Sequence, residues 1–123
     1  MPQLTIKTMS PQLLVRDIEH SIKYYTSELG FTLVFFYDSF YAGLQKDGHS
    51  IHLKSGTPSP IERENKRNNY DLDIVFSVEN IKGLYEELTA RPIDFVQPLC
   101  ERPYGTEFYI ADPDGYILAF VEE

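Results

Sequence analysis

One hairpin is written twice in this chain, and that repeat limits what the rest can become. Tyr109-Ile110-Ala111-Asp112-Pro113-Asp114-Gly115-Tyr116-Ile117-Leu118-Ala119-Phe120-Val121 reads as two strands around a tight turn. Pro113 sets a negative φ, Asp112 and Asp114 can bond their own backbone, and Gly115 tolerates a positive φ. Tyr41 to Leu53 has the same form around Asp47-Gly48. With Asp47-Gly48 laid on Asp114-Gly115, an offset of 67, Tyr41 falls on Phe108, Ile51 on Leu118 and Leu53 on Phe120. A duplicated hairpin points to a duplicated larger unit.

The flanking sequence carries that unit. Gln12 to Val15 reads as a strand, Asp17 as a helix N-cap, and Ile18, Ile22, Tyr25 and Leu29 as one helix face ending at Gly30. Phe31 to Tyr37 is aromatic and β-branched, a strand, and the Tyr41–Lys54 hairpin follows. The order is β-α-β-β-β. A second round starts near Leu72, with strand Val75–Val78, cap Asn80, and helix face Ile81, Leu84, Tyr85 and Leu88. Strand Phe95–Leu99 and the second hairpin complete it. Val78, Asn80 and Ile81 repeat Val15, Asp17 and Ile18 at an offset of 63. The four residues that separate the two offsets fall in the loop Cys100 to Gly105, which offers Tyr104 as an exposed ring.

The expected fold is therefore α+β: two β-α-β-β-β modules, residues 8–54 and 70–123, forming curved mixed sheets with helices on the outer face. They make a single domain, 1–123, joined by a polar connector over 55–69 that is long enough to cover a pocket. Strand alternation gives each sheet an apolar face for its helix and a mixed inner face that includes His52 and Asp73.

Composition excludes several classes. The net charge is −8, against nucleic acid as a partner and compatible with a cationic ligand. One cysteine, Cys100, allows no internal disulfide and fits the cytoplasm, and no base or cation pattern beside it marks a nucleophile. Met1 to Ser10 has no leader pattern, and no run approaches the length of a membrane span.

The paired modules, the Asp112-Pro113-Asp114-Gly115 hairpin and the Val15-Arg16-Asp17-Ile18 helix start resemble the vicinal oxygen chelate superfamily, from Ser10 to Glu123. That group includes glyoxalase I, extradiol dioxygenases, and fosfomycin- and bleomycin-resistance proteins. Arg102-Pro103-Tyr104-Gly105-Thr106-Glu107-Phe108 before the turn is most similar to the bleomycin-resistance branch, with Tyr104 where that branch usually has Trp.

The resemblance implies four metal-ligand slots, here Ser10, His52, Asp73 and Ala119. Ala119 has no donor and Ser10 is a poor one, so no metal and no other cofactor is expected. Four-residue turns would pair Tyr41 with His52 and Phe108 with Ala119. The inner face would then hold Tyr41, Phe108, Ile110 and Ile117 around His52 and Asp73, an apolar pocket with few polar anchors. With Tyr104, these are the expected ligand-binding residues.

The resulting reading is a cytoplasmic, metal-independent protein of the bleomycin-resistance type that sequesters an aromatic small molecule, a cationic one among the candidates, with no bond made or broken. The alternative is a glyoxalase- or dioxygenase-type enzyme using a divalent metal ion in a degenerate site. The expected assembly is a homodimer, its pockets built from both chains: Ser10 and His52 of one facing Asp73 and Ala119 of the other.

Overall fold

A computed structural model describes residues 2–123, and the chain divides into two compact units between Thr57 and Pro58. The first unit holds β1 (Gln12–Val15), α1 (Ile18–Lys23), a π-helical turn (Tyr24–Glu28), β2 (Thr32–Tyr37), β3 (Tyr41–Lys46) and β4 (His49–Ser55). Its sheet runs β1-β4-β3-β2, with β1 parallel to β4 and the other pairs antiparallel. Asp17 caps α1 as expected, accepting from the His20 N–H at 3.1 Å. The buried stripe is Ile18, Ser21 and Tyr25, and Ile22 is only half-buried. It meets Leu13, Val15, Ala42, Leu44, Ile51 and Leu53, all buried. Asp47 and Gly48 both take positive φ, the two-residue turn that matches strand twist.

The second unit begins with a difference from expectation. The polar stretch read as connector contains α2 (Pro60–Asn69). No α2 residue is buried, so the helix shows no apolar periodicity. Its signals are at the ends: Ser59 caps the Glu62 N–H, Pro60 opens the helix, and Lys66 and Arg67 sit in the last turn.

β5 (Ile74–Ser77), α3 (Ile81–Thr89), β6 (Asp94–Arg102), β7 (Gly105–Ala111) and β8 (Ile117–Glu122) follow, in a sheet ordered β5-β8-β7-β6. The loop expected over 100–105 is mostly strand, since Cys100 pairs with Glu107 and Arg102 with Gly105. The extra residues lengthen that hairpin and are absorbed by bulges in β6. Asn80 caps α3 as expected, and the Glu122 carboxylate accepts from the Asn80 and Ile81 N–H groups, both at 3.0 Å. These paired modules, each with a helix on one sheet face, are the α+β architecture the repeat requires.

The two hairpins differ by one residue in register, with a large consequence. Asp112 Oδ1 accepts from the Asp114 and Tyr116 N–H groups, closing a five-residue turn, Asp112 to Tyr116, where the first hairpin has two residues. An odd loop against an even one reverses the face of everything before it. Gly43 therefore pairs with His52, and Tyr109, rather than Phe108, pairs with Ala119. Phe108 and Ile110 turn to the α3 face, where both are fully buried. The Phe108 ring stacks on Phe120 at 4.9 Å and meets Tyr85 edge-on at 5.1 Å. The expectation that Phe108 and Ile110 line a pocket is corrected on this point: they are core.

Candidate functional site

The face of the first sheet turned away from α1 carries a chain of hydrogen bonds. Gln12 Nε2 donates to Tyr41 Oη at 3.0 Å, and Tyr41 Oη lies 2.9 Å from His52 Nδ1. Strand parity puts all three on this face, although Tyr41 pairs across the ladder with Lys54 and not with His52. The residue opposite His52 is Gly43, and the space it leaves is filled by Phe35. A Cβ on Gly43 would lie 2.1 Å from the Phe35 ring. Phe35 stacks on Tyr41 at 6.1 Å and meets His52 edge-on at 5.5 Å. Ser10 and Ser50 hydrogen-bond through their hydroxyls.

Beside this cluster lies a cavity of about 560 Å³. Its walls are Lys7, Thr8, Ser10, Val34, Phe35, Gly43, Leu44, Gln45, Gly48, Ser50 and His52. It belongs entirely to the first unit, and its size suits a small organic molecule.

The corresponding face of the second sheet is filled by its own side chains. Ile117 is on this face, as expected, packed with Tyr109, Ala111 and Ala119 in a buried cluster that Leu72 and Val96 extend. Tyr70, at the end of α2, lies against Tyr109 at 6.3 Å. Asp73 faces α2. Its carboxylate accepts from Arg63 at 2.8 Å, Lys66 at 2.7 Å and the Ile117 N–H at 2.8 Å. Burial raises the Asp73 pKa, but the Lys66, Ile117 and Arg63 donors outweigh it and hold the carboxyl below its usual value. Arg63 also covers the Tyr116 ring, 4.3 Å from its centre.

Tyr104 is exposed at the β6–β7 turn and donates to Glu107 Oε1 at 2.7 Å. Tyr109 and Arg102 donate to the other oxygen at 2.8 and 3.0 Å. Glu107 is nearly fully buried. Burial raises its pKa, and these three donors bring it below the usual value. Burial and the Glu107 bond together push the Tyr109 phenol up. Tyr104 therefore secures a hairpin carboxylate in the second unit.

The four ligand slots do not suit a divalent ion. The Ser10 hydroxyl is bonded to Ser50, and His52 Nδ1 to Tyr41. Both Asp73 oxygens are taken by cations, and Ala119 has no donor. Among the described residues no group of three His, Cys, Asp or Glu side chains is placed to hold a metal.

Of the residues expected to bind a ligand, the structure brings Tyr41 and His52 together beside the cavity. It assigns Asp73 to an ion-paired tie, Tyr104 to a hairpin bond, and Ile117, Phe108 and Ile110 to packing. Lys7, Phe35 and Gln45 were missed as wall residues. The alternation of Phe35 in β2 and Gln45 in β3 could have found two of them; Lys7 lies in irregular chain with no periodic signal.

Comparison with known proteins agrees with this fold. The profile of the Glyoxalase/Bleomycin resistance protein/Dioxygenase superfamily matches residues 6–120. No curated protein sequence matches the chain. Among solved structures, UcmS2 is similar at 23% identity and TM-score 0.77, over 96% of this chain and 98% of its own. TnmS3, an antibiotic binding protein from Streptomyces sp. CB03234, is 16% identical, with TM-score 0.77 and 98% of each chain covered. TioX from Micromonospora sp. ML1 is 17% identical, with TM-score 0.76 over 94% of this chain and 98% of its own.

Proposed function

We propose, for a chain that belongs to the Glyoxalase/Bleomycin resistance protein/Dioxygenase superfamily, that it binds an aromatic small molecule and sequesters it unchanged, without a metal. The cavity beside His52 is the observation that carries this reading. Its Phe35 wall offers a ring to stack on, and Gln45, Ser50 and His52 offer hydrogen bonds to orient a ligand. Ala119 offers no donor and both Asp73 oxygens are held by Arg63 and Lys66, which supports the reading without a metal. Cys100 is the only cysteine, and its sulfur accepts from Gln97 Nε2 at 3.6 Å. That TnmS3 is an antibiotic binding protein supports a resistance role for this chain too.

Thermal shifts with a panel of aromatic compounds, in the presence and absence of EDTA, test the reading. Stabilising compounds are expected, with the same shift in EDTA, no stoichiometric metal in the purified protein, and the compound recovered with its mass unchanged. Phe35→Ala should weaken binding by about tenfold or more, since stacked aromatic anchors carry much of the affinity. Conversion of the compound, or binding lost in EDTA, would instead favour the metal-dependent enzyme.

The working unit in this reading is a cytoplasmic homodimer. Among the described residues no helix is long and apolar enough to cross a membrane. β2 is a sheet edge, and Leu33, Val34, Phe36 and Tyr37 on it, with Phe40 just after, are all exposed. An apolar edge of that size is a liability unless a second surface covers it, and a second copy is the occupant we assign. Light scattering should give twice the 14.2 kDa chain mass at micromolar concentration. A mass of 14.2 kDa would refute the dimer.

A further inference from the structure

The cavity walls carry a charge signature opposite to that of the chain as a whole. The chain has 19 acidic and 11 basic residues, which at long range favours a cation. Lys7 is the one charged residue among the walls, and among the described residues no Asp or Glu lines the cavity. The remaining polar wall groups are hydroxyls, one amide and the His52 ring.

His52 is set up as a donor. Gln12 donates to the Tyr41 oxygen, and when the phenol in turn donates to His52 Nδ1 the neutral ring is the Nε2–H tautomer. Nε2 then carries the ring's own proton. With Lys7, this makes two N–H donors beside an aromatic wall, and no carboxylate to balance them.

Resting on the reading of this cavity as a small-molecule site, we infer that its ligand is an aromatic anion: a flat ring system bearing a carboxylate or phenolate oxygen. The ring lies on Phe35, and the anionic oxygen takes charge-assisted hydrogen bonds from Lys7 Nζ and His52 Nε2. A cationic ligand would meet the Lys7 charge with nothing to offset it.

Three probes that share a ring and differ in charge test this: 2-naphthoate, neutral 2-naphthalenemethanol and cationic 2-naphthylmethylammonium. Calorimetric titration should rank naphthoate tightest, by about tenfold over the alcohol, with the cation weakest. Lys7→Gln should remove most of the naphthoate advantage and leave the alcohol unchanged, while Phe35→Ala weakens both. Added salt should weaken naphthoate selectively. If the alcohol or the cation binds as tightly as naphthoate, or Lys7→Gln does not discriminate between probes, the anion assignment is overturned while the pocket stands. If none of the three binds at millimolar concentration, the pocket reading fails and takes the assignment with it.

Discussion

Phe108→Ala is expected to cost about 3–5 kcal/mol in a urea unfolding experiment, the range for removing a buried aromatic ring from a packed core. Phe108 is wholly buried between Phe120, Tyr85 and Phe95, on the side of its sheet that receives α3. The ring cannot be replaced by water or by a rotated neighbour without a cavity. Phe108→Leu, which keeps most of the volume, should cost roughly 1–2 kcal/mol. Neither change should alter ligand affinity at a temperature where the variant remains folded. A stable Phe108→Ala protein that has lost ligand binding would mean that the second hairpin has the register of the first.

Asp73→Ala should cost about 2–4 kcal/mol, because it leaves Arg63, Lys66 and the Ile117 N–H without their acceptor. Lys66 can swing into water, which keeps the figure below the upper limit for a buried pair. The effect should be local. Amide exchange across Pro60–Asn69 should accelerate, since α2 has no buried apolar face to hold it in place. The pH dependence follows from the depressed carboxyl. A folded pKa below the unfolded value of about 3.9 adds stability that is fully present above that value and disappears as pH falls through the folded one. Wild-type stability should therefore drop at acid pH. Asp73→Asn should flatten part of that drop, while Asp94 and Glu107, shifted in the same direction, preserve the rest. An unchanged acid limb and unchanged exchange in α2 would show that the tie contributes nothing.

These two residues also show where sequence reasoning reached and where it stopped. The β-α-β-β-β repeat was legible because turn, cap and apolar periodicity recur together at matching offsets, and each has a local cause. The pocket face depends instead on whether a turn has an odd or even number of residues. Asp47-Gly48 closes in two residues, while Asp112 draws Tyr116 back to close in five. That difference arises from side-chain bonding inside the turn, and it moved Phe108 and Ile110 from pocket to core. Helix α2 was illegible for another reason. It is held by the Arg63, Lys66 and Arg67 charges, and periodicity detects only apolar faces. Strand alternation places Asp73 on the mixed face and says nothing of what it binds. Its partners lie 7 and 10 residues upstream, within the stretch read as connector. Tyr41 and His52 were placed together because both lie in the regular hairpin, where parity is reliable.

The central claim is that the first sheet's face beside His52 is the ligand site. Amide chemical-shift mapping of the isotope-labelled protein during titration with 2-naphthoate tests it most directly. The expected perturbations cluster at Gly43, Gln45, Ser50 and His52 and saturate with a single dissociation constant. Shifts confined to the second unit, around Ala111, Ile117 and Ala119, would contradict it.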